Sequence, residues 1–255
     1  MNKKRKSWGV ASLTIFLAAL CVFLFSAYQL FMMLVPYYLG GKEYTEVKKV
    51  AVISEVAGEG MEQASTFKVD FEQLLQLNPD TIAWIRFDEP AIISYPVVKS
   101  KDNQEYLTKT FDANDNKLGA IFMDMNNHAD FQDSNTFIYG HNMQVGGEMF
   151  SQLNSYADET FYKAHPYFYI YTPDGKVRTY EVFAAAVVKD TSEHYNIAYQ
   201  TPEEFLAYLE RCKSESNYQT GVIVNQDSKI VSLSTCTNIN DDERFLLQGV
   251  LVNEE

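Results

Sequence analysis

Cys236 is the residue of this chain that is best placed to act as a nucleophile. It ends the apolar run KIVSLSTC and is followed by the polar loop TNINDDE. A structural cysteine is more often packed inside a protein, whereas a reactive thiol has to reach water and substrate. A reactive thiol also needs a base or a cationic neighbour that supplies its thiolate. The sequence therefore predicts a nucleophilic thiol with a histidine or an arginine beside it.

His141 is the best candidate for the base, because it follows the apolar run NTFIYG directly. Strand ends can present side chains for catalysis, and Cys236 has a matching place at the end of another predicted strand. The alternative for His141 is an ordinary histidine in a surface loop. His128 lies in a polar stretch, His165 precedes a proline at the start of a strand, and His194 lies in a long loop. None of these three has a comparable position.

Arg244 opens the last predicted strand, eight positions after Cys236. A loop of this length can fold back so that the two strands pair and bring the guanidinium close to the thiol. In that place Arg244 would donate hydrogen bonds to the oxyanion that forms when a thiolate attacks an amide. The alternative is an exposed salt bridge with Asp241 or Asp242, which is common and weak.

The elements that would position these side chains are mostly strands. Short runs rich in β-branched and aromatic residues, with turn residues between them, predict about eight strands. The runs are TIAWIRF, AIISYPVV, GAIFMD, NTFIYG, PYFYIYT, KVRTYEVFAAAVV, KIVSLST and RFLLQGVLV. This strand count and the lengths of the connections favour a mostly antiparallel β-barrel with helices around it, and they place Cys236 at the mouth of the barrel.

A helix is predicted in the long insertion before the last two strands. Thr201 is a capping residue, Pro202 stands at the first helical position, and Glu204 completes a capping box. The apolar positions that share one face are Phe205, Leu206, Leu209 and Cys212. Cys212 is therefore predicted to be a buried packing residue, and the alternative is a disulfide between Cys212 and Cys236.

The N-terminus has the composition of a membrane anchor. A basic tail over residues 1–7 precedes a charge-free segment over residues 8–35, which is long enough to cross a hydrocarbon core of about 30 Å. The segment is longer than the apolar part of a cleaved signal peptide. Because basic residues stay in the cytoplasm, we expect a single-pass protein of the cell membrane with its C-terminal domain outside. A lipoprotein attached at Cys21 is the alternative, but the residue before it, Leu20, is not small.

The rest of the chain divides into a spacer and one domain. Residues 36–68 carry glycines and charges without sustained periodicity, which indicates an extracellular spacer, and residues 69–255 form the predicted domain. Residues 1–41 hold four of the 21 basic residues and none of the 34 acidic ones. The exported part is therefore strongly acidic, and nucleic acid is excluded as a partner on charge.

Taken in order, these segments resemble the sortases, membrane-anchored cysteine transpeptidases of Gram-positive bacteria, and among them class B. SLSTC resembles the family's T-L-x-T-C signature, IYGHNM the segment that holds its histidine, and DERFLLQGVLV the strand that its arginine opens. LNPDTIAWIRF, ISYPVV, DNQEYL and GAIFMD resemble class B segments, as does the helical insertion over residues 191–216. The resemblance covers residues 69–252. One departure is Ser232, which stands where the signature usually has threonine and keeps the hydroxyl without the methyl.

The resemblance implies an eight-stranded sortase-like β-barrel with peripheral helices and a transpeptidase that needs no metal or other cofactor. Its partners would be exported proteins with a C-terminal sorting signal, and an amine of a peptidoglycan precursor or of a pilin. Cys236 would attack the carbonyl of a threonine in the sorting motif and form a thioester. His141 would act first as general acid and then as general base, and Arg244 would stabilise the oxyanion.

Three further residues are implied by the resemblance as part of a substrate groove. Asn103 and Leu107 both lie in DNQEYL, and Ser234 lies two residues before the signature cysteine. The pattern common for class B motifs is N-P-x-T-x, and the sequence leaves open whether the motif of this protein resembles it.

Two other functions remain open on the residues alone. A cell-wall cysteine hydrolase would use the same thiol and imidazole and pass the acyl group to water. Papain-like and wall-peptidase folds place cysteine before histidine, however, whereas His141 precedes Cys236 here. A non-enzymatic exported binding module is the second alternative, in which Cys236 would be inert. Zinc hydrolysis has no support, because neither H-E-x-x-H nor paired Cys/His spacing occurs.

Overall fold

The computed structural model describes residues 9–54, 67–88, 93–143 and 146–255 of the 255-residue chain. The predicted basic tail and residues 55–66 of the predicted spacer lie outside the described residues. The helices are α1 (Val10–Ala51), α2 (Phe71–Leu77), α3 (Glu159–Ala164) and α4 (Pro202–Ser214), with 3₁₀ turns at Glu105–Leu107, Ser151–Ala157 and Glu193–Tyr195. The strands are β1 (Val52–Ser54), β2 (Lys68–Val69), β3 (Thr81–Phe87), β4 (Ser94–Val98), β5 (Ile121–Met123), β6 (Asn135–Tyr139), β7 (Tyr167–Tyr171), β8 (Val177–Lys189), β9 (Ile230–Cys236) and β10 (Glu243–Glu254).

Eight strands close into a barrel in the order β10-β8-β7-β3-β4-β5-β6-β9. Six of the neighbouring pairs are antiparallel, and the pairs β4–β5 and β6–β9 are parallel. The strands β1 and β2 form a separate two-stranded sheet. The predicted eight-stranded barrel is therefore confirmed, and its two parallel pairs decide which strand ends lie side by side.

The strand β9 has an apolar face and a polar face, and Cys236 belongs to the polar one. Val231 and Leu233 pack into the main hydrophobic core inside the barrel. Ser232 and Ser234 face the other way, because successive residues of a strand point to opposite faces. Cys236 continues the serine series, so it lies on the outer face of the barrel near the strand's end. Cys236 is also the last residue of β9, so its thiol lies at the end of the strand.

The helix α1 continues well beyond the apolar segment into residues that the sequence presents as a spacer. Its residues Gly40, Tyr44, Val47 and Ala51 recur every three or four positions and are buried against the rest of the protein. A side chain at Gly40 would stand 2.6 Å from Leu118, so a glycine is needed for this close approach. Glycines that suggest a flexible spacer instead allow a helix to pack closely.

The apolar part of α1 is exposed. The helix contains an 18-residue stretch with a mean hydropathy of 2.4, none of it buried inside the protein. Length and composition are thus sufficient to cross a membrane. An apolar helix near the N-terminus of this kind is typical of a membrane anchor or of a signal sequence.

The predicted helix of the insertion is confirmed as α4. Thr201 accepts a hydrogen bond from the backbone nitrogen of Glu204, whose carboxylate in turn accepts one from the nitrogen of Gln200. Cys212 is buried among apolar residues of this helix and of β8, as predicted, and it is a free thiol like Cys236. Leu206 was predicted on the packed face but is exposed, because the buried face of α4 turns toward Tyr208 instead.

Candidate active site

The parallel pairing of β6 with β9 brings His141 beside Cys236. Tyr139 pairs with Ser234, and the nitrogen of Gly140 donates a 3.1 Å hydrogen bond to the carbonyl of Ser234. His141 and Cys236 each follow this pair by two residues. Asn142 extends the connection, since its Nδ2 donates to the carbonyl of Cys236 at 2.8 Å. Two strands that are far apart in the sequence therefore end together, one with an imidazole and one with a thiol.

Arg244 pairs directly with Cys236 in the antiparallel β9–β10 ladder. Its guanidinium donates to the carbonyl of Asp241 at 2.7 Å and forms an ion pair with Asp190 at 3.2 Å. The carboxylate of Asp242 instead pairs with Lys189, at 2.9 Å. Arg244 therefore forms its salt bridge with Asp190 and not with the carboxylate of Asp241 or Asp242. Asp190, at the end of β8, fixes the guanidinium and leaves it partly exposed.

All six residues singled out in the sequence line one cavity of about 200 Å³, which we call the active-site cavity. Its walls come from the β4–β5 connection and from the ends of β5, β6, β9 and β10. The lining residues are Asn103, Leu107, Phe122, Tyr139, Gly140, His141, Ser234, Thr235, Cys236 and Arg244. An apolar lining with a few convergent polar groups is typical of a ligand site.

The imidazole of His141 has a fixed orientation. Its Nε2 lies 2.7 Å from the carbonyl oxygen of Leu107. Because a carbonyl can only accept, Nε2 carries the proton and Nδ1 is the atom left for proton transfer. Leu107, which the resemblance assigns to the substrate groove, thus also orients the histidine through its backbone.

Asn103 is held by polar contacts at the edge of the cavity. Its Nδ2 donates to Asp124 at 2.8 Å, and its Oδ1 accepts from the nitrogen of Met125 at 2.8 Å. Asp124 also accepts a hydrogen bond from the hydroxyl of Tyr139 at 2.9 Å. Burial and then the charge of Asp124 raise the pKa of Tyr139, so its hydroxyl remains a donor. Both polar atoms of the Asn103 amide are therefore bonded, which fixes its orientation at the cavity.

Tyr195, in the connection between β8 and α4, supports the cavity and has no signal in the sequence. Its hydroxyl is 2.7 Å from the Oγ of Ser234, and its ring stacks on Phe137 at 5.3 Å between centroids. Burial raises the pKa of Tyr195 to about 12, so the hydroxyl is neutral at physiological pH. An aromatic residue in a long loop has no recognisable spacing, and only the folded insertion brings it beside Ser234.

Alkylation should distinguish the two thiols outside the apolar segment. Burial raises the pKa of Cys212 to about 11, so almost none of it is thiolate near pH 8. Cys236 is half-exposed in the active-site cavity. We expect iodoacetamide at pH 8 to modify Cys236 of the native protein at least about tenfold faster than Cys212, measured by mass spectrometry of the two peptides. Comparable rates in the folded protein would contradict this arrangement, and denatured protein, in which both thiols are exposed, provides the control.

Comparisons with known proteins identify the family. Residues 88–252 match the sortase domain family. The chain is 34% identical to Sortase B of Listeria monocytogenes over 261 residues, which cover 98% of this chain and 100% of that protein. The crystal structure of sortase B from B. anthracis in complex with AAEK1 superposes with a TM-score of 0.72 at 30% identity and covers 86% of this chain and 99% of that one. The Staphylococcus aureus sortase B-substrate complex superposes with a TM-score of 0.67 at 26% identity, over 72% of this chain and 84% of that one.

The match includes the strands that carry the predicted site. The sortase domain extends over β4 to β9 and most of β10, and both the sequence relatives and the solved structures belong to sortase B. Their folds share the closed barrel described above. The chain therefore belongs to the sortase family, in its class B branch, and is a cysteine transpeptidase.

Proposed function

We propose that this enzyme cleaves a C-terminal sorting motif of exported proteins at a threonine carbonyl and transfers the acyl group to an amine of the cell wall or of a pilin. The observation that supports it is the register of β6, β9 and β10, which places His141, Cys236 and Arg244 at one cavity. A titratable base, a thiol and a fixed cation at one site are what acyl transfer through a thioester requires.

In the first half-reaction the Cys236 thiolate adds to the threonine carbonyl carbon, and the carbonyl oxygen becomes an oxyanion. The guanidinium of Arg244, held by Asp190 and by the carbonyl of Asp241, donates to that oxyanion. The C–N bond then breaks, and protonated His141 gives its proton to the leaving amine. A thioester on Cys236 and a free amine are the products.

In the second half-reaction an incoming amine attacks the thioester carbonyl. Neutral His141 removes a proton from that amine at Nδ1, while its Nε2 continues to donate to Leu107. Collapse of the tetrahedral intermediate forms the new amide and releases the Cys236 thiolate. The base and the acid are thus the same imidazole, and the site returns to its starting protonation.

The motif would lie along the wall formed by Asn103, Leu107 and Ser234. Asn103 offers a fixed amide, Leu107 an apolar side chain, and Ser234 a hydroxyl held by Tyr195. Such a wall suits a short peptide with polar and small residues, in agreement with an N-P-x-T-x motif. Because α1 is apolar enough to cross a membrane, we further propose that it anchors the enzyme with the N-terminus in the cytoplasm and the barrel outside.

The proposed function is tested with the full-length chain in detergent micelles, mixed with N-P-x-T-x peptides and triglycine. We expect an intact mass that corresponds to a thioester at Cys236 and a peptide–triglycine product. Hydrolysed peptide alone in the presence of excess triglycine and other amines would instead favour a cell-wall hydrolase. Folded protein that neither forms an adduct nor cleaves a broad peptide set would contradict the proposal.

Arg244→Lys should lower kcat by about 100-fold, since lysine keeps the charge but loses the fork that is fixed by Asp190 and Asp241. The matched control is Arg211→Lys, because Arg211 pairs with Glu193 at the surface and does not line the cavity. Steady-state kinetics with the sorting peptide check both variants. An Arg244→Lys enzyme with wild-type kcat would show that a simple point charge suffices.

A further inference from the structure

The hydroxyl of Tyr44, near the end of α1, holds two backbone groups of the segment that leads into the active-site cavity. It donates to the carbonyl of Gly119 at 2.8 Å and accepts from the nitrogen of Phe111 at 3.1 Å. The ring is buried and meets Tyr95 edge to face, with 5.4 Å between centroids. Burial raises the pKa of Tyr44, so the hydroxyl stays protonated and can make both bonds. One side chain of α1 therefore fastens residues 111 and 119 together.

A carboxylate of α1 fastens the same segment beside Tyr44. Glu43 accepts hydrogen bonds from the hydroxyl of Thr110 at 2.9 Å, from the nitrogen of Asp112 at 3.0 Å and from Asn114 at 3.2 Å. These groups belong to a turn between β4 and β5, outside regular secondary structure. The loop also has backbone hydrogen bonds of its own, such as that from the nitrogen of Asn116 to the carbonyl of Thr108 at 2.8 Å. Glu43 and Tyr44 add the side-chain bonds that attach this loop to α1.

The fastened segment is also the platform on which His141 rests. Gly119 has a positive φ of +62°, and a side chain there would stand 2.8 Å from the Cδ2 of His141. The nitrogen of Ala120 donates to the carbonyl of Tyr106 at 2.9 Å, which ties the end of the segment to the residue before Leu107. The carbonyl of Leu107 in turn accepts a hydrogen bond from His141 Nε2. The imidazole therefore lies beside Gly119, which Tyr44 holds, and bonds to Leu107, whose neighbour Tyr106 is tied to the end of the same segment.

We propose that Tyr44 is a positioning residue for His141, so that α1 contributes to catalysis as well as to attachment. The inference rests on the proposed role of His141 in proton transfer. Without the Tyr44 hydroxyl, the buried carbonyl of Gly119 and nitrogen of Phe111 lose their partner, and the platform shifts to find another. A shift of the imidazole by a fraction of an ångström changes its alignment for proton transfer, whereas Asn103 and Ser234 of the peptide wall are held separately by Asp124 and Tyr195.

The experiment compares wild type, Tyr44→Phe and Tyr218→Phe as full-length chains in detergent micelles. Tyr218 is the matched control, because it is also buried and donates to a backbone carbonyl, that of Tyr156 at 2.8 Å, but does not line the cavity. We expect Tyr44→Phe to lower kcat about tenfold with a KM change below about twofold. Tyr218→Phe should lower the melting temperature to a similar extent and leave kcat unchanged.

A double-variant cycle tests whether the effect passes through His141. In the His141→Gln background, adding Tyr44→Phe should lower the residual rate by less than about twofold, because the group being positioned is already gone. If Tyr44→Phe lowered the rate of His141→Gln by the same factor as it lowers the rate of wild type, Tyr44 would act independently of His141, and the inference would be overturned. An unchanged kcat in Tyr44→Phe would overturn it as well, as would an equal loss in Tyr218→Phe.

A second variant covers the case in which Tyr44→Phe does not fold. Glu43→Gln weakens the same attachment while it keeps one acceptor oxygen, and a fall of about threefold in kcat at constant KM is expected. Wild-type kcat in a folded Glu43→Gln enzyme would then overturn the inference. Failure of the proposed function gives a different result from failure of the positioning role, because His141→Gln would then be fully active. If His141→Gln is inactive and Tyr44→Phe is not impaired, only the positioning role fails.

Discussion

Replacing Cys236 with alanine should lower kcat/KM for the sorting peptide by at least about 10⁴-fold and remove the thioester adduct entirely. The thiol is the only group proposed to form a covalent bond with the substrate. The residual rate would therefore reflect substrate binding and the Arg244 guanidinium alone. The thiol is half-exposed on the outer face of the barrel, and its loss leaves no internal cavity. The free energy of unfolding should therefore change by less than about 0.5 kcal/mol.

Cys212→Ala is the matched control, because it makes the same chemical change at a buried thiol that does not line the cavity. It should reduce stability, since a packed side chain is shortened, while the turnover of folded enzyme stays at the wild-type level. Peptide turnover and thermal unfolding, measured on both variants, separate the two effects. Retention of activity by Cys236→Ala would exclude the thioester mechanism.

Replacing His141 with glutamine should lower kcat by about 10³-fold, the second largest effect expected here. Glutamine can still donate a hydrogen bond toward the carbonyl of Leu107, so the packing of the site is largely kept. It cannot gain or lose a proton, however, and the leaving amine would depart unprotonated. The variant should form the thioester slowly and should respond to pH less steeply than wild type.

His128→Gln is the control for this variant. His128 is largely exposed, pairs with Asp133 at 2.7 Å and lies outside the active-site cavity. Its replacement should leave kcat and its dependence on pH unchanged, as measured in the same peptide assay from pH 5 to pH 9. If His141→Gln were to retain the full rate, proton transfer would have to come from another group or from water.

The parts of the fold that the sequence predicts well are those that depend on local patterns. The capping box at Thr201 requires only four neighbouring residues, and α4 begins there. The spacing of Cys236 and Arg244 also defines a local hairpin, and the two residues are direct partners in the β9–β10 ladder. Helix caps and hairpins of this kind depend on residues close in sequence, so they can be predicted without the rest of the chain.

The parts that the sequence does not reveal depend on contacts between distant segments. The parallel pairing of β6 with β9 leaves no turn signal, and the sequence showed only that His141 and Cys236 each follow a predicted strand. Gly40 lies in a stretch whose composition is that of a flexible linker, and only the structure shows that Leu118 packs against it. Asp190 likewise becomes the partner of Arg244 only when β8 and β10 pair.

The β6–β9 ladder has a consequence for the order of folding. It pairs residues such as Tyr139 and Ser234, which are about 95 positions apart, and loop closure over that distance is entropically costly and slow. The imidazole and the thiol meet only when the barrel closes, and we expect the local hairpins β7–β8 and β9–β10 to form before that step. A partly folded barrel has a thiol but no imidazole beside it. We therefore expect transpeptidase activity to appear only when the fold is complete.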